Sequence, residues 1–297
     1  MDQPAVKEAA GDFRRFKESG QRAGTSLAIG RGFCNTRDAI ARRLIAAHIS
    51  PNTLTIFGLL ATCVAAACFF RGGSYSHAAL RQAGLPPYML LAGVFLVLAS
   101  AMDMLDGAVA KLGKQQTPLG AVLDSSVDRI SDAAIYIGLI GHFILVGNLT
   151  YGVLSGVAMA NAMLISYVKA RSECIIPDCS VGYWMRGERS AALLIAAFAG
   201  TVPAVLWQQA ISPAFTVLRR LVFFHQALAA KEAGRPGPST AAPHGLLSLL
   251  RPWRYPRGSI PYDIVTGTNI AFIIFAHYFH PVFGPGVDPL RQILGLP

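Results

Sequence analysis

Residues 103–128 read DMLDGAVAKLGKQQTPLGAVLDSSVD, and four aspartates, Asp103, Asp106, Asp124 and Asp128, stand in a stretch with apolar flanks. Asp103 and Asp106 are three residues apart, and Asp124 and Asp128 are four apart. On a helix each pair therefore shares a face. Gly113 and Pro118 lie between the pairs and permit a tight turn. Two antiparallel helices joined there bring all four carboxylates to one depth, at the end of the first helix and near the start of the second.

The rest of the chain says what those helices lie in. It has 297 residues, of which 53% are apolar and 14% charged, with a mean hydropathy of +0.44. A soluble domain carries about 25% charged residues. The composition excludes a soluble globule and general disorder and predicts an all-α integral membrane protein. Six apolar stretches, near 53–70, 88–110, 118–146, 150–170, 189–210 and 262–283, each come close to or exceed the roughly 20 residues that cross a bilayer. Six transmembrane helices are expected. Before them, Ile40, Leu44 and Ile45 fall on one side of a helix, with Arg37, Arg42 and Arg43 around the rest. That pattern predicts a short interfacial amphipathic helix, with Asn35 or Thr36 at its start.

The expected organisation is a flexible cytosolic tail over 1–34, a catalytic membrane domain over 35–211, an insertion or loop over 212–258, and a last transmembrane helix with its tail over 259–297. The first 34 residues are polar and charged, so no cleavable signal peptide is expected. Nine basic residues before the first span, Lys111 and Lys114 after the second, and Lys169, Arg171, Arg186 and Arg189 after the fourth place these regions on the cytosolic side. Residues 212–258 disagree: they carry seven Lys or Arg and one acid, Glu232, yet six spans put them outside. Leu246 to Arg257 reads as an amphipathic segment on anionic lipid. The five cysteines are too scattered for a disulfide or zinc framework, and Cys63 and Cys68 read as packing residues.

A carboxylate inside a membrane helix costs about 2.5–3.5 kcal/mol on insertion scales, so four must face one another, a cavity or a cation. Four cannot all ionise in contact without a counter-charge. Hard divalent cations with oxygen ligands answer this, and two Mg2+ or Mn2+ ions suit phosphoryl chemistry. Zinc is disfavoured, because no Cys or His lies in the cluster. Gly107, Ala110 and Gly120 are small residues beside the aspartate faces, where a nucleotide or a neighbouring helix approaches the backbone.

The pattern D-x-x-D-G-x-x-A-K-x8-G-x-x-x-D-x-x-x-D, from Asp103 to Asp128, resembles the motif of the CDP-alcohol phosphotransferases. Lys111 stands where that family usually has Arg, which keeps the charge and loses the fork of donors. The resemblance covers residues 35–211. It implies an enzyme that displaces CMP from a CDP-linked lipid such as CDP-diacylglycerol with an alcohol nucleophile. It implies Asp103, Asp106 and Asp124 as metal ligands and Asp128 as general base and ligand. Asn52 and Thr55, in SPNTLT, match positions that help hold the cytidine diphosphate, and they also suit a helix N-terminus. The family further implies a homodimer, with membrane lipid and no nucleic acid as partners.

Within the family, LGAVLDSSVDRISDA (119–133), SYVKARSE (166–173) and RGER (186–189) look like bacterial phosphatidylinositol phosphate synthases. That resemblance implies Lys169, Arg171, Arg186 and Arg189 as the grip on the phosphate of inositol 1-phosphate, and the bacterial cytoplasmic membrane as the location. Any one of these cations fits anionic headgroups as well as an acceptor, but four flanking the catalytic helices favour a phosphorylated, water-soluble acceptor. Glycerol 3-phosphate carries a phosphate too, so a phosphatidylglycerophosphate synthase is the alternative. A divalent-cation transporter is the alternative of another class; its carboxylates would line the full depth of several spans, whereas these collect at one end.

Overall fold

The computed structural model describes residues 25–72, 87–238, 259–284 and 286–296, with side chains from residue 32 onward. These residues are helical: α1 (Thr25–Ala46), α2 (Pro51–Gly72), α3 (Tyr88–Leu112), α4 (Pro118–Leu145), α5 (Leu149–Glu173), α6 (Arg186–Ala199), α7 (Val202–Glu232), α8 (Ile260–Phe279) and the short α9 (Pro289–Ile293). Most of the predicted tail and the Leu246–Arg257 segment lie outside the described residues. The chain forms two compact units: Arg37–Leu164, Trp184–Ala214 and Ile270–Pro297 make one, and Met1–Thr36, Ile165–Tyr183 and Phe215–Asn269 the other.

Among the described residues three helices, α2, α3 and α5, are long and apolar enough to cross a membrane. Helix α4 matches them in length, but Asp124, Asp128, Arg129 and Asp132 interrupt it. Its outer face is apolar nonetheless: Val122, Ile130, Ile137 and Ile144 are exposed at helical spacing. The aspartate side and Ile135, Leu139 and Phe143 face inward. Large apolar residues outside and carboxylates inside are the reverse of a water-soluble helix.

In the larger unit α2 packs against α3 and α4, and α3 against α6. Ala41, Leu44 and Ile45 close over Leu54, Leu105, Ala108 and Val109, where α2 begins and α3 ends. The apolar side of α1 therefore covers protein, with Ile40 left exposed, and does not simply lie on lipid. The helix also runs through Asn35 and Thr36 instead of starting there; the Thr36 hydroxyl donates to the Gly32 carbonyl one turn back.

Between α3 and α4 the left-handed residue is Lys114 (φ 52°). Gly113 matters for a different reason: a Cβ there would lie 2.8 Å from the Val109 carbonyl oxygen. Thr117 caps α4, its hydroxyl accepting from the Gly120 N–H at 3.0 Å, and Pro118 takes the first helical position, where no N–H is needed.

The predicted span over 189–210 is two helices. Gly200 adopts a left-handed conformation (φ 75°) and ends α6, and α7 starts at Val202. The two halves fold back on each other, since the Gln209 amide donates to the Arg189 carbonyl at 3.0 Å across the turn. Residues 212–232, expected as insertion or loop, belong to α7.

After α8 the chain straps the turn between α4 and α5. Asp288 accepts from the Leu149 and Thr150 N–H groups at 2.6 and 3.0 Å, from the Thr150 hydroxyl, and from the Arg291 N–H of its own helix. The Tyr151 hydroxyl donates to the carbonyls of Val282 and Gly284, and the Arg291 guanidinium donates to that of Gly147.

Candidate functional site

The larger unit gathers three of the four aspartates. Ligand oxygens of Asp103, Asp124 and Asp128 lie within 4.8 Å of one another. Helix α3 supplies the first, from its last turns, and α4 the other two, from its first turns. Asp106 stands outside that group. It is buried, and its Oδ2 accepts from the Thr55 hydroxyl on α2 at 2.6 Å. Thr55 also reaches the Pro51 carbonyl at 3.2 Å, so the first turn of α2 is tied to the carboxylate end of α3.

An all-carboxylate donor set of this span fits a hard divalent cation such as Mg2+ or Mn2+. Asp103, Asp124 and Asp128 are the residues that would hold it.

Arg186, the first residue of α6, enters the same group. Its Nη1 lies 2.7 Å from Asp103 Oδ1 and 3.0 Å from Asp128 Oδ1. The other oxygen of Asp128 faces Arg129 Nη1 at 3.4 Å. Arg186 is thus the predicted phosphate-binding cation that meets the aspartates directly. Arg189, one turn further along α6, does not. It is 2% exposed, and its Nη2 lies 2.8 Å from Asp132, one turn beyond Asp128 on α4. Arg189, expected as a phosphate grip, is placed by its burial and this ion pair as a brace between α4 and α6. The brace continues through Gln209, which also accepts from the Tyr136 hydroxyl at 3.1 Å and whose backbone carbonyl takes the Asn161 amide at 3.2 Å.

The small residues separate into distinct roles. A Cβ on Gly107 would meet nothing within 4 Å, so Gly107 is not a helix-packing residue, and the space beside it is open. A Cβ on Gly120 would lie 3.0 Å from the Thr117 hydroxyl and 3.8 Å from the Asn52 carboxamide, which places exposed Asn52 near the start of α4. Ala110 is half-buried and Lys111 is exposed on the last turn of α3.

The smaller unit carries the other two predicted cations, half-buried Lys169 and exposed Arg171, on the last turns of α5. It also holds Arg220, which sequence reasoning missed. Arg220 is 1% exposed, and its guanidinium donates to the carbonyls of Val181 and Ile165. The signal was the pair Arg219–Arg220 inside the apolar run AFTVLRRLVFF. All five cysteines are free thiols, and burial raises the pKa of Cys179.

Residues 48–221 match the family model described as CDP-alcohol phosphatidyltransferase. The chain is 32% identical over 198 residues to an archaetidylinositol phosphate synthase of Methanothermobacter thermautotrophicus, covering 64% of this chain and 89% of the relative. It is 31% identical over 197 residues to a phosphatidylinositol phosphate synthase of Mycobacteroides abscessus, covering 64% and 83%. The crystal structure of the Mycobacterium tuberculosis phosphatidylinositol phosphate synthase with CDP-DAG bound is similar at a TM-score of 0.53 and 26% identity, over 63% of this chain and 92% of that one. The same enzyme in complex with manganese and citrate matches at a TM-score of 0.53, over 64% and 88%.

Proposed function

The chain belongs to the CDP-alcohol phosphatidyltransferase family, and from that premise we propose that it transfers a phosphatidyl group from CDP-diacylglycerol to inositol 1-phosphate, releasing CMP. It is a transferase of phospholipid biosynthesis. The observation that carries the finer reading is the three-carboxylate group with Arg186 at its edge, an anion-binding cation directly beside a cation-binding site. The relatives named above share an inositol phosphate product, and a solved neighbour holds CDP-DAG.

Asp103, Asp106, Asp124 and Asp128 would hold the metal, and Asp106 also ties α3 to α2 through Thr55. Two ions are proposed. When bound, Mg2+ or Mn2+ neutralises the pyrophosphate and raises the acidity of a nearby hydroxyl. Asn52, Thr55, Gly107, Ala110, Lys111 and Gly120 hold the cytidine diphosphate, and the open space beside Gly107 lets it approach the backbone of α3. Arg186, at the edge of the carboxylates, holds the acceptor phosphate; Lys169 and Arg171 are assigned to it from the family resemblance alone. Asp128 takes the proton from the acceptor hydroxyl. The hydroxyl oxygen bonds to the lipid-bearing phosphorus as the bond from that phosphorus to CMP breaks.

The reversal at Gly200 supports a hairpin of α6 and the first half of α7, held by the Gln209–Arg189 hydrogen bond. In this reading the chain crosses the membrane more than once, and the site faces the cytosol. A homodimer is proposed from the family.

The test is CMP release from CDP-diacylglycerol by purified protein with Mn2+, supplying inositol 1-phosphate, glycerol 3-phosphate or inositol in turn. Inositol 1-phosphate is expected to support the fastest release. Activity with glycerol 3-phosphate alone overturns the acceptor and leaves the transferase standing.

A further inference from the structure

We infer that Arg186 is a movable counter-cation of the carboxylate site: it bridges Asp103 and Asp128, is displaced when a divalent cation loads, and is thereby handed to the acceptor phosphate. The inference rests on the function proposed above and adds an order of events to it.

Two arginines one turn apart on α6 show why one is fixed and the other is not. Arg189 is 2% exposed and is held on Asp132, itself buried. The Arg186 side chain is 29% exposed, and the Asp103 side chain it touches is 39% exposed. One guanidinium nitrogen of Arg186 serves both carboxylates. Its Nε is buried and has no hydrogen-bond partner, so the guanidinium is not fully satisfied where it sits. A tetrahedral dianion takes two donors of a guanidinium side by side, including Nε, which a pair of separate carboxylate oxygens does not. The neighbouring Gly187 adds no obstacle, since even a Cβ there would meet nothing within 4 Å.

Competition follows from the oxygens. Asp128 presents Oδ1 to Arg186 and Oδ2 to Arg129, so both of its oxygens already face positive charge. A dication among Asp103, Asp124 and Asp128 is repelled by the guanidinium while it remains there. Metal and Arg186 therefore oppose each other at the carboxylates, and an anion that draws Arg186 away favours the metal. By linkage the metal favours the anion equally.

The experiment measures Mn2+ binding to the full-length purified protein, by the electron paramagnetic resonance of free Mn2+, with and without sulfate as the tetrahedral anion. Arg186→Gln is expected to bind Mn2+ about tenfold tighter than wild type, the effect of one lost charge-assisted contact. Sulfate is expected to tighten Mn2+ binding to wild type and to leave the variant unchanged. Arg186→Lys keeps the charge and should stay near wild type in Mn2+ affinity. Equal or weaker Mn2+ binding by Arg186→Gln, or an undiminished sulfate effect in it, overturns the inference. If Arg186→Gln does not fold, absence of any sulfate effect on Mn2+ binding to wild type overturns it instead. The CMP-release assay judges the transferase separately: protein that shows this metal–anion coupling but releases no CMP contradicts the function and not the competition.

Discussion

Arg189 holds Asp132 at 2.8 Å with both residues buried, one helical turn below the carboxylates that would bind metal. Asp132→Asn leaves a buried guanidinium without its counter-charge. The expected loss of stability is about 3–5 kcal/mol, read by thermal unfolding in detergent. Replacing both partners, as in Asp132→Leu with Arg189→Met, should recover most of that loss, because no charge is then stranded. A normal melting curve for Asp132→Asn would show that the pair does not brace α4 against α6.

Gly107 separates packing from substrate access. A Cβ there meets nothing, so Gly107→Ala should fold as well as wild type and gain helix propensity of up to about 1 kcal/mol. CMP release should fall, chiefly through a raised KM for CDP-diacylglycerol. Unchanged kinetics in a well-folded Gly107→Ala would remove the nucleotide from this face of α3.

Thr55→Val takes the hydroxyl donor from Asp106, which is 5% exposed. An unpaired buried acceptor of this kind costs about 1–3 kcal/mol. Thr55→Ser keeps the donor and should melt near wild type. Thermal unfolding of the two variants side by side distinguishes the hydroxyl from the methyl group.

Asp288 ties the C-terminal strap to the start of α5, and its charge makes that tie sensitive to acid. Burial pushes its carboxyl pKa up, but the hydrogen bonds from Thr150, Leu149 and Arg291 outweigh burial and hold it below the ordinary value. A depressed carboxyl pKa contributes stability that is complete above the ordinary value of about 3.9 and is lost as the pH falls through the native one. Asp288→Ala should lower stability by about 1 kcal/mol at neutral pH, as loss of a cap does. The gap between wild type and Asp288→Ala in melting temperature should narrow in acid. A gap that widens in acid contradicts the assignment.

The parts of this protein written in local periodicity were legible in the sequence, and the parts made by distant partners were not. Three- and four-residue spacing put Asp103, Asp124 and Asp128 on faces that meet, and the structure brings those three together. Asp106 shares the spacing but is drawn to Thr55, 51 residues away, by a contact that no helical repeat encodes. Arg186 and Arg189 looked alike in RGER; burial and Asp132, 57 residues from Arg189, set them apart. Gly200, with Thr201 and Pro203 just after it, carries a helix-stop signal, but the apolar residues on both sides make the hairpin read as one span. The strap was invisible because Asp288 caps a helix that begins 139 residues earlier.

The central claim is that the carboxylate group performs metal-dependent transfer with Asp128 as the base. It is tested most directly by CMP release from CDP-diacylglycerol and inositol 1-phosphate, titrated with Mn2+, for wild type and Asp128→Asn. The account predicts release by wild type that requires the metal, and no turnover by Asp128→Asn although it still binds the nucleotide. Full activity in Asp128→Asn, or wild-type release that persists in a chelator, would contradict it.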